Sequence, residues 1–207
     1  REVATVADAD VLFLNGLGLE AAMRAVTENV GTSTQVITLS DGIDPLPAGA
    51  SMHSHDEKAD PGEEAEDGAA HERGEGGLDP HVWLDPTIVA QWAFAIEAAL
   101  TEEDPAGEST YRQRSSDYRE RMAALDRWIR ERVAEMPAGR RRLVSDHDEL
   151  GYFARRYGFE TVGTVLPGAS TLAEPSAAGL ARLQDDIRRL EVPAIFVGST
   201  ARAAVAE

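Results

Sequence analysis

Residues 78–86 read Leu-Asp-Pro-His-Val-Trp-Leu-Asp-Pro, and the rest of the chain is organised around them. Asp85 and Pro86 stand directly before apolar residues at helical spacing: Ile88, Val89, Trp92, Ile96 and Leu100. Aspartate is a favoured N-cap and proline a favoured first helical residue, so the pattern predicts a helix from Pro86 to Leu100. His81 then lies between two prolines in a stiff loop before that helix, where its imidazole is well placed to bind a ligand.

The composition is that of a folded protein with an acidic surface. Hydrophobic residues make up 43% and charged residues 28% of the 207 residues, and this length suits one larger domain or two small lobes. The net charge of -17 repels a phosphate backbone, so we expect no nucleic-acid partner and regard a cation as the more natural ligand. Because the chain has no cysteine, any metal ion must be bound by histidine and carboxylate side chains.

The N-terminal part of the chain alternates between strand and helix patterns. Val11–Leu14 is a short apolar run ended by Asn15-Gly16, which predicts a buried parallel strand and its turn. Residues 19–30 have helical periodicity with Gly31 as a C-cap, and residues 35–39 form a second strand pattern. This order predicts a parallel sheet covered by helices.

The same alternation returns after Pro137. The predicted elements are a strand at 142–145, a helix at 148–157, a strand at 161–166, a helix at 176–190 and a strand at 193–197. The predicted fold class is therefore α/β, with two parallel-sheet lobes. His147 follows the first of these strands, and open parallel sheets bind ligands at the carboxyl ends of their strands.

A long helix is predicted between the two halves, from Asp104-Pro105 to Glu135. It carries one apolar stripe, made of Tyr111, Tyr118, Met122, Leu125, Ile129, Val133 and Met136. At about 1.5 Å per residue such a helix reaches about 45 Å and can join two lobes as a strut. We therefore assign residues 1–103 to an N-terminal lobe, residues 104–136 to the linking helix and residues 137–207 to a C-terminal lobe.

Both ends of the chain look cut. The sequence begins at Arg1 without Met in a pattern that resembles a helix already under way, and residues 201–207 stop inside a helical pattern. We interpret the chain as an internal fragment of a longer protein, with both lobes incomplete.

An acidic tract that contains three histidines interrupts the N-terminal lobe at about residues 44–80. Between residues 51 and 80, ten Asp or Glu face one Lys and one Arg, which gives this part a charge of -8. It has too few apolar residues to offset chain entropy, so we expect a mobile loop. His53, His55 and His71 are candidates for accessory metal capture, although a solvated linker that happens to contain histidine fits the composition equally.

His81 and His147 are the candidate metal ligands. Neutral imidazole binds zinc and other first-row divalent ions, and one ion can bridge two histidines from different halves of a chain. A single histidine before a helix is more often a hydrogen-bonded turn residue, and this alternative stays open for each of them. Asp79 and Asp146 lie beside the pair in sequence and are candidates to orient the two rings by hydrogen bonds.

Four other residues near these histidines are interpreted structurally. Asp85 and Asp148 each precede a predicted helix and are read as N-caps. Trp83 and Trp92 are read as core residues. No His-Glu-x-x-His, Gly-x-Ser-x-Gly or phosphate-binding glycine loop is present, so we expect no enzymatic activity. A metal-dependent hydrolase stays open as an alternative, and it requires a metal with an open position for water.

Four motifs together resemble the zinc/manganese family of solute-binding proteins of bacterial ABC importers, the ZnuA-like and TroA-like proteins. They are Asp8-Ala9-Asp10 followed by residues 11–20, residues 79–86, His147-Asp148 with residues 151–158, and residues 167–171 with 173–176. The similarity extends over nearly the whole chain, with the motifs in the family's order.

The resemblance implies two α/β lobes joined by one long rigid helix, with a metal ion in the cleft between the lobes. His81 matches the family's second ligand and His147 its third, and histidine at the third position resembles the zinc-binding members. We therefore expect Zn²⁺, with Mn²⁺ as the alternative. The tract with His53, His55 and His71 occupies the place of the family's histidine-rich loop.

Some of the family's pattern is not found in these residues. The first histidine ligand and the terminal aspartate of the family fall outside the chain, and Gly198 stands where many members have glutamate. With two of four ligands, the fragment itself is expected to bind metal poorly.

The resemblance also implies a biological role. The protein would capture a divalent metal ion and pass it to an ABC permease in the membrane. It would work outside the cytoplasm, in the periplasm or lipid-anchored at the outer face of the cytoplasmic membrane, and we expect a monomer. A metal-binding adhesion or interaction protein built on the same lobes is a further alternative.

Overall fold

The computed structural model of the chain describes residues 6–27, 30–49, 77–166, 168 and 175–198. The chain divides into two compact units. The first contains residues 1–45 and 80–135, and the second contains residues 46–79 and 136–207. None of the helices in the described ranges combines the length and apolarity needed to cross a bilayer.

The first unit contains a two-stranded parallel sheet. Strand β1, Val11–Leu14, pairs with β2, Gln35–Thr38, in a register that runs from Val11 opposite Gln35 to Leu14 opposite Thr38. The predicted parallel pairing is thereby confirmed, but β1 is only partly buried, so the expectation of a buried strand is wrong. The segment between them differs from the single helix expected at 19–30, because it begins as a 3₁₀-helix at Leu19–Met23 and continues as the short helix α1, Arg24–Thr27.

The reason for this difference is a tight turn at the start of the segment. The N–H of Leu19 donates to the carbonyl of Gly16 at 3.1 Å, and the N–H of Ala21 donates to Gly18 at 3.1 Å. Bonds between residues three apart define the 3₁₀ winding, which crowds side chains and is used in short pieces.

Helix α2, Pro86–Glu103, begins where the sequence predicts and extends slightly past Leu100. The Oδ1 atom of Asp85 accepts from the N–H of Thr87 at 2.8 Å and from its hydroxyl at 2.6 Å. Asp85 is therefore the N-cap, as predicted, and Pro86 is the first helical residue.

The predicted long helix is confirmed as α3, Glu108–Ala134, which follows a 3₁₀ turn at Pro105–Gly107. It packs on α2, and the Ser115 hydroxyl donates to the carbonyl of Ala93 at 3.2 Å. The predicted apolar stripe is only partly covered, since Val133 is buried while Tyr118 and Leu125 are each 40% exposed. The role of this helix as a strut between lobes stays a prediction.

The second unit is a three-stranded parallel sheet in the order β4, β3, β5. Its elements are strand β3 at Arg142–Ser145, helix α4 at Gly151–Tyr157, strand β4 at Glu160–Thr164, helix α5 at Ala177–Arg189 and strand β5 at Ile195–Phe196. Val144, Val165 and Leu183 form its buried core. This alternation confirms the predicted α/β class.

Helix α4 ends at Gly158, whose φ of 73° lies in the left-handed region. Its N–H donates to the carbonyl of Ala154 at 2.9 Å, which closes the last turn. A side chain at this φ would be strained, so glycine is the residue that lets the chain leave the helix here and enter β4.

Two short segments at the two ends of the acidic tract meet in the second unit. Pro47 and Leu78 form an antiparallel bridge, and the N–H of Asp79 donates to the carbonyl of Leu46 at 2.8 Å. The buried Tyr152 hydroxyl accepts from the N–H of Leu46 at 3.0 Å and donates to the carbonyl of Asp79 at 2.9 Å. One phenol therefore ties both segments to α4.

Candidate metal centre

His147 is the second residue after strand β3, at the carboxyl end of the second sheet. The side chain is buried, with 7% of the residue exposed. The main chain around it is fixed by the Ser145 hydroxyl, which donates to the carbonyl of His147 at 2.7 Å. The N–H of Asp146 donates to the carbonyl of Phe196 on β5 at 2.9 Å, so this loop extends the sheet.

Asp146 orients the imidazole of His147. Its Oδ1 lies 2.9 Å from Nδ1 of the ring and accepts from the N–H of His147 at 3.0 Å. Its Oδ2 accepts from the N–H of Gly198 at 3.1 Å, so both oxygens are engaged. A carboxylate at Nδ1 favours the tautomer with the proton on that atom, and Nε2 then carries the lone pair that a metal ion requires.

Asp148 is not the helix N-cap that the sequence predicts. Helix α4 begins only at Gly151, and the residue at its N-cap position is Leu150. The Asp148 carboxylate instead accepts from the N–H of Gly49 at 2.9 Å, and its own N–H donates to the carbonyl of Gly168 at 3.0 Å. Bonds to distant parts of the second unit therefore hold Asp148 outside the helix.

Glu149 is a candidate site residue that the sequence analysis missed. Its Oε2 lies 3.5 Å from Nε2 of His147, and Asp146, His147 and Glu149 each offer a ligand atom within 4.8 Å of the others. The sequence pattern predicts a helix over residues 148–157, and positions two apart on a helix do not face each other. Glu149 could have been assigned to the site only if a tight turn had been predicted here in place of the helix.

His81 lies in the first unit, at the start of a 3₁₀-helix over Val82–Leu84. The residue is 6% exposed, and its ring makes an edge contact with the ring of Trp83 at a centroid distance of 5.3 Å. Trp83 itself is 38% exposed, so the expectation that it is a core residue is wrong. It flanks the histidine ring and remains partly open to solvent.

The peptide before His81 is held by Asn15, at the end of β1. The Nδ2 group of Asn15 donates to the carbonyl of Pro80 at 3.1 Å. The Glu20 carboxylate accepts from the N–H groups of Asn15 at 2.6 Å and Gly16 at 3.1 Å, which fixes the turn. A Cβ on Gly16 would lie 2.3 Å from the Ser40 hydroxyl, so the turn requires glycine there.

The other two predicted site residues are Asp79 and Asp146, the candidates to orient the rings of His81 and His147. Asp79 is buried in the second unit, while His81 belongs to the first. Asp146 is the predicted partner of the His147 ring, and the structure contains that hydrogen bond. The metal-binding roles of His81 and His147 and the orienting role of Asp79 stay predictions.

The three histidines of the acidic tract lie outside the described residues, as does much of the last family motif. The three histidines are His53, His55 and His71, and the motif residues that are not described are 167, 169–171, 173 and 174.

Comparison with known proteins identifies the family. A family model described as ZnuA, zinc-uptake complex component A periplasmic, matches residues 1–207. The manganese-binding lipoprotein MntA of Halalkalibacterium halodurans is 32% identical over 195 residues, which cover 94% of this chain and 56% of that protein. The zinc-binding protein TroA of Treponema pallidum is 34% identical over 202 residues, which cover 96% of this chain and 57% of that protein.

The fold agrees with the sequence comparison. The solved structure of the periplasmic zinc binding protein TroA from Treponema pallidum matches with a TM-score of 0.77 at 30% identity, over 99% of this chain and 65% of that one. The chain belongs to the ZnuA family of zinc-uptake components, which confirms the resemblance seen in the sequence motifs. It spans little more than half the length of the MntA and TroA sequences.

Proposed function

We propose that this chain is the metal-binding part of a solute-binding protein of an ABC importer. The protein captures a divalent transition metal ion outside the cytoplasm and delivers it to the permease in the membrane. Membership of the ZnuA family supports this function, as do relatives named as zinc-binding and manganese-binding proteins. The names of MntA as a lipoprotein and of TroA as a periplasmic protein support the extracytoplasmic location.

The observation that most supports metal capture is the environment of His147. Its imidazole is buried at the end of a parallel sheet, and a carboxylate engages Nδ1 at 2.9 Å. Metal-binding histidines in proteins almost always use their second ring nitrogen in this way, since the hydrogen bond fixes the ring and raises its basicity. The same hydrogen bond would leave Nε2 available to a metal ion.

Zinc is the preferred ion in this proposal. His81 and His147 together supply two nitrogen ligands, and imidazole suits zinc better than manganese, which prefers oxygen. Metal identity differs among the relatives, because MntA is named for manganese and TroA for zinc. The preference therefore rests on the two histidines.

Isothermal titration of the full-length protein with Zn²⁺ and Mn²⁺ tests the proposal. We expect tight saturable binding, with Zn²⁺ bound more tightly, and a loss of more than about 100-fold in His81→Ala and in His147→Ala, because ligand removal exceeds the effect of an outer partner. Deletion of residues 51–77 serves as the control and should leave the affinity nearly unchanged. Unchanged affinity in both histidine variants would refute the ligand assignment, and metal-dependent ester hydrolysis would favour a hydrolase instead.

A further inference from the structure

We propose that Glu149 is an additional metal ligand, which binds the same ion as His147 through a carboxylate oxygen. The inference rests on the proposed function, because it takes His147 as a ligand. It adds an oxygen donor to the nitrogen donors named above and so changes the expected metal preference of the site.

The backbone brings the two side chains to one side of the loop. The N–H of Glu149 donates to the carbonyl of His147 at 2.9 Å, which closes a three-residue turn centred on Asp148. Asp148 cannot relax into α4, since its carboxylate binds the N–H of Gly49 and its N–H binds the carbonyl of Gly168. The turn is therefore held by contacts that do not involve the two candidate ligand atoms.

The distance between the ligand atoms suits a shared ion. Zinc lies about 2.0–2.2 Å from nitrogen and oxygen ligands, and tetrahedral angles then place two ligand atoms about 3.4 Å apart. The observed separation between Nε2 of His147 and Oε2 of Glu149 is 3.5 Å. A direct charge-assisted hydrogen bond would draw the atoms to about 2.7–2.9 Å.

The two carboxylates beside His147 have separate tasks. Both oxygens of Asp146 accept hydrogen bonds, and its side chain is 4% exposed. The Glu149 side chain is 25% exposed, so an ion arriving from solvent can reach its carboxylate. Asp146 therefore orients the ring at Nδ1, and Glu149 binds the ion at the Nε2 side.

An oxygen ligand at this position has a measurable effect on metal choice. Carboxylate oxygen is a donor that manganese prefers, whereas zinc binds well to nitrogen alone. Glu149 should therefore support Mn²⁺ binding more than Zn²⁺ binding. A site with this residue discriminates less sharply between the two ions than the same site without it.

The test compares Glu149→Gln with the wild type and with Glu131→Gln in the full-length protein. Glu131 is an exposed residue on α3, and its variant controls for the loss of one negative charge. Competition titrations should give a loss of more than about tenfold for Mn²⁺ and a smaller loss for Zn²⁺ in Glu149→Gln, with no change in the control. The visible spectrum of the Co²⁺-loaded protein should shift in Glu149→Gln alone.

The outcomes separate this inference from the proposed function. If His147→Ala abolishes binding while Glu149→Gln keeps the wild-type affinities and cobalt spectrum, Glu149 is not a ligand and metal capture stands. If neither variant changes binding, both proposals are wrong. Glu149→Asp checks for misfolding, because it keeps the charge but shortens the reach and should recover part of the Mn²⁺ affinity only if the carboxylate touches the ion.

Discussion

The two candidate histidines are held by different means. His81 lies in a loop shaped by main-chain restraints, with Pro80 before it, the N-cap Asp85 after it and Asn15 bound to the carbonyl of Pro80. His147 lies in a loop where a side chain engages the imidazole itself, since Asp146 contacts Nδ1 at 2.9 Å. The contacts described for the first loop act on its main chain, whereas the contact with Asp146 in the second loop acts on the imidazole itself.

This difference predicts how strongly substitutions in each loop should lower the metal affinity. Removing a main-chain restraint near His81 shifts the ring by small amounts and leaves its chemistry intact. Removing the carboxylate beside His147 takes away a hydrogen bond to the ring itself and so changes the orientation of the imidazole. Metal affinity should therefore be more sensitive to Asp146 than to any supporting residue described near His81.

The largest expected effect among these supporting residues comes from Asp146→Asn. The amide is a weaker acceptor at Nδ1, and loss of such partners typically lowers metal affinity by about 10–100-fold. Isothermal titration with Zn²⁺ measures the change. Asp185→Asn removes an exposed carboxylate of the same unit and should have no effect, and equal affinities for wild type and Asp146→Asn would show that the ring needs no such support.

Tyr152→Phe tests hydrogen bonds of the second unit, which contains His147, that do not involve the imidazole itself. The variant removes the hydroxyl that binds the N–H of Leu46 and the carbonyl of Asp79, and unsatisfied buried groups cost about 1–3 kcal/mol. We expect a lower free energy of unfolding in urea and faster hydrogen exchange at residues 46–49 and 77–79. Tyr118→Phe, at an exposed position, should change neither the free energy of unfolding nor the exchange rates. Unchanged exchange in Tyr152→Phe would show that the phenol does not hold these segments.

Asp85→Ala removes the N-cap next to the His81 loop. Loss of a capping side chain costs about 0.5–2 kcal/mol, which should appear as a lower midpoint in thermal unfolding. Ser176→Ala is the matched control, because the Ser176 hydroxyl caps α5 in the second unit by accepting from the N–H of Gly179 at 3.0 Å. Both variants should lose stability, but only Asp85→Ala should also weaken Zn²⁺ binding. Equal Zn²⁺ affinities of the two variants would show that the N-cap does not support the metal site.

The smallest expected effect comes from Asn15→Ala. Loss of one neutral hydrogen bond to the carbonyl of Pro80 is worth about 0.5–1.5 kcal/mol, which corresponds to no more than about tenfold in affinity. Zinc titration of this variant should fall between wild type and Asp146→Asn. A loss larger than that of Asp146→Asn would reverse the ranking of the two loops.

Much of the fold could be predicted because its signals are local. The strands at 11–14 and 142–145 and the cap at Asp85 each depend on neighbouring residues, and the structure contains all of them. The segment after Leu19 was read as one helix, since apolar spacing does not distinguish an α-helix from a 3₁₀ turn.

The site was less predictable because long-range contacts shape it. The local sequence predicts Asp148 as an N-cap, because its actual partners, Gly49 and Gly168, are distant in sequence. The same contacts delay the start of the predicted helix to Gly151 and leave Glu149 beside His147. Asp146 could be named in advance because it is adjacent to the ring that it orients.

The central claim is that His81 and His147 bind one ion. It is tested most directly by NMR of full-length protein loaded with ¹¹³Cd and labelled with ¹⁵N at histidine. We predict one cadmium signal coupled to ring nitrogens of both residues, with one coupling lost in each of His81→Ala and His147→Ala. Two cadmium signals coupled to separate histidines, or a signal coupled to neither, would contradict the account.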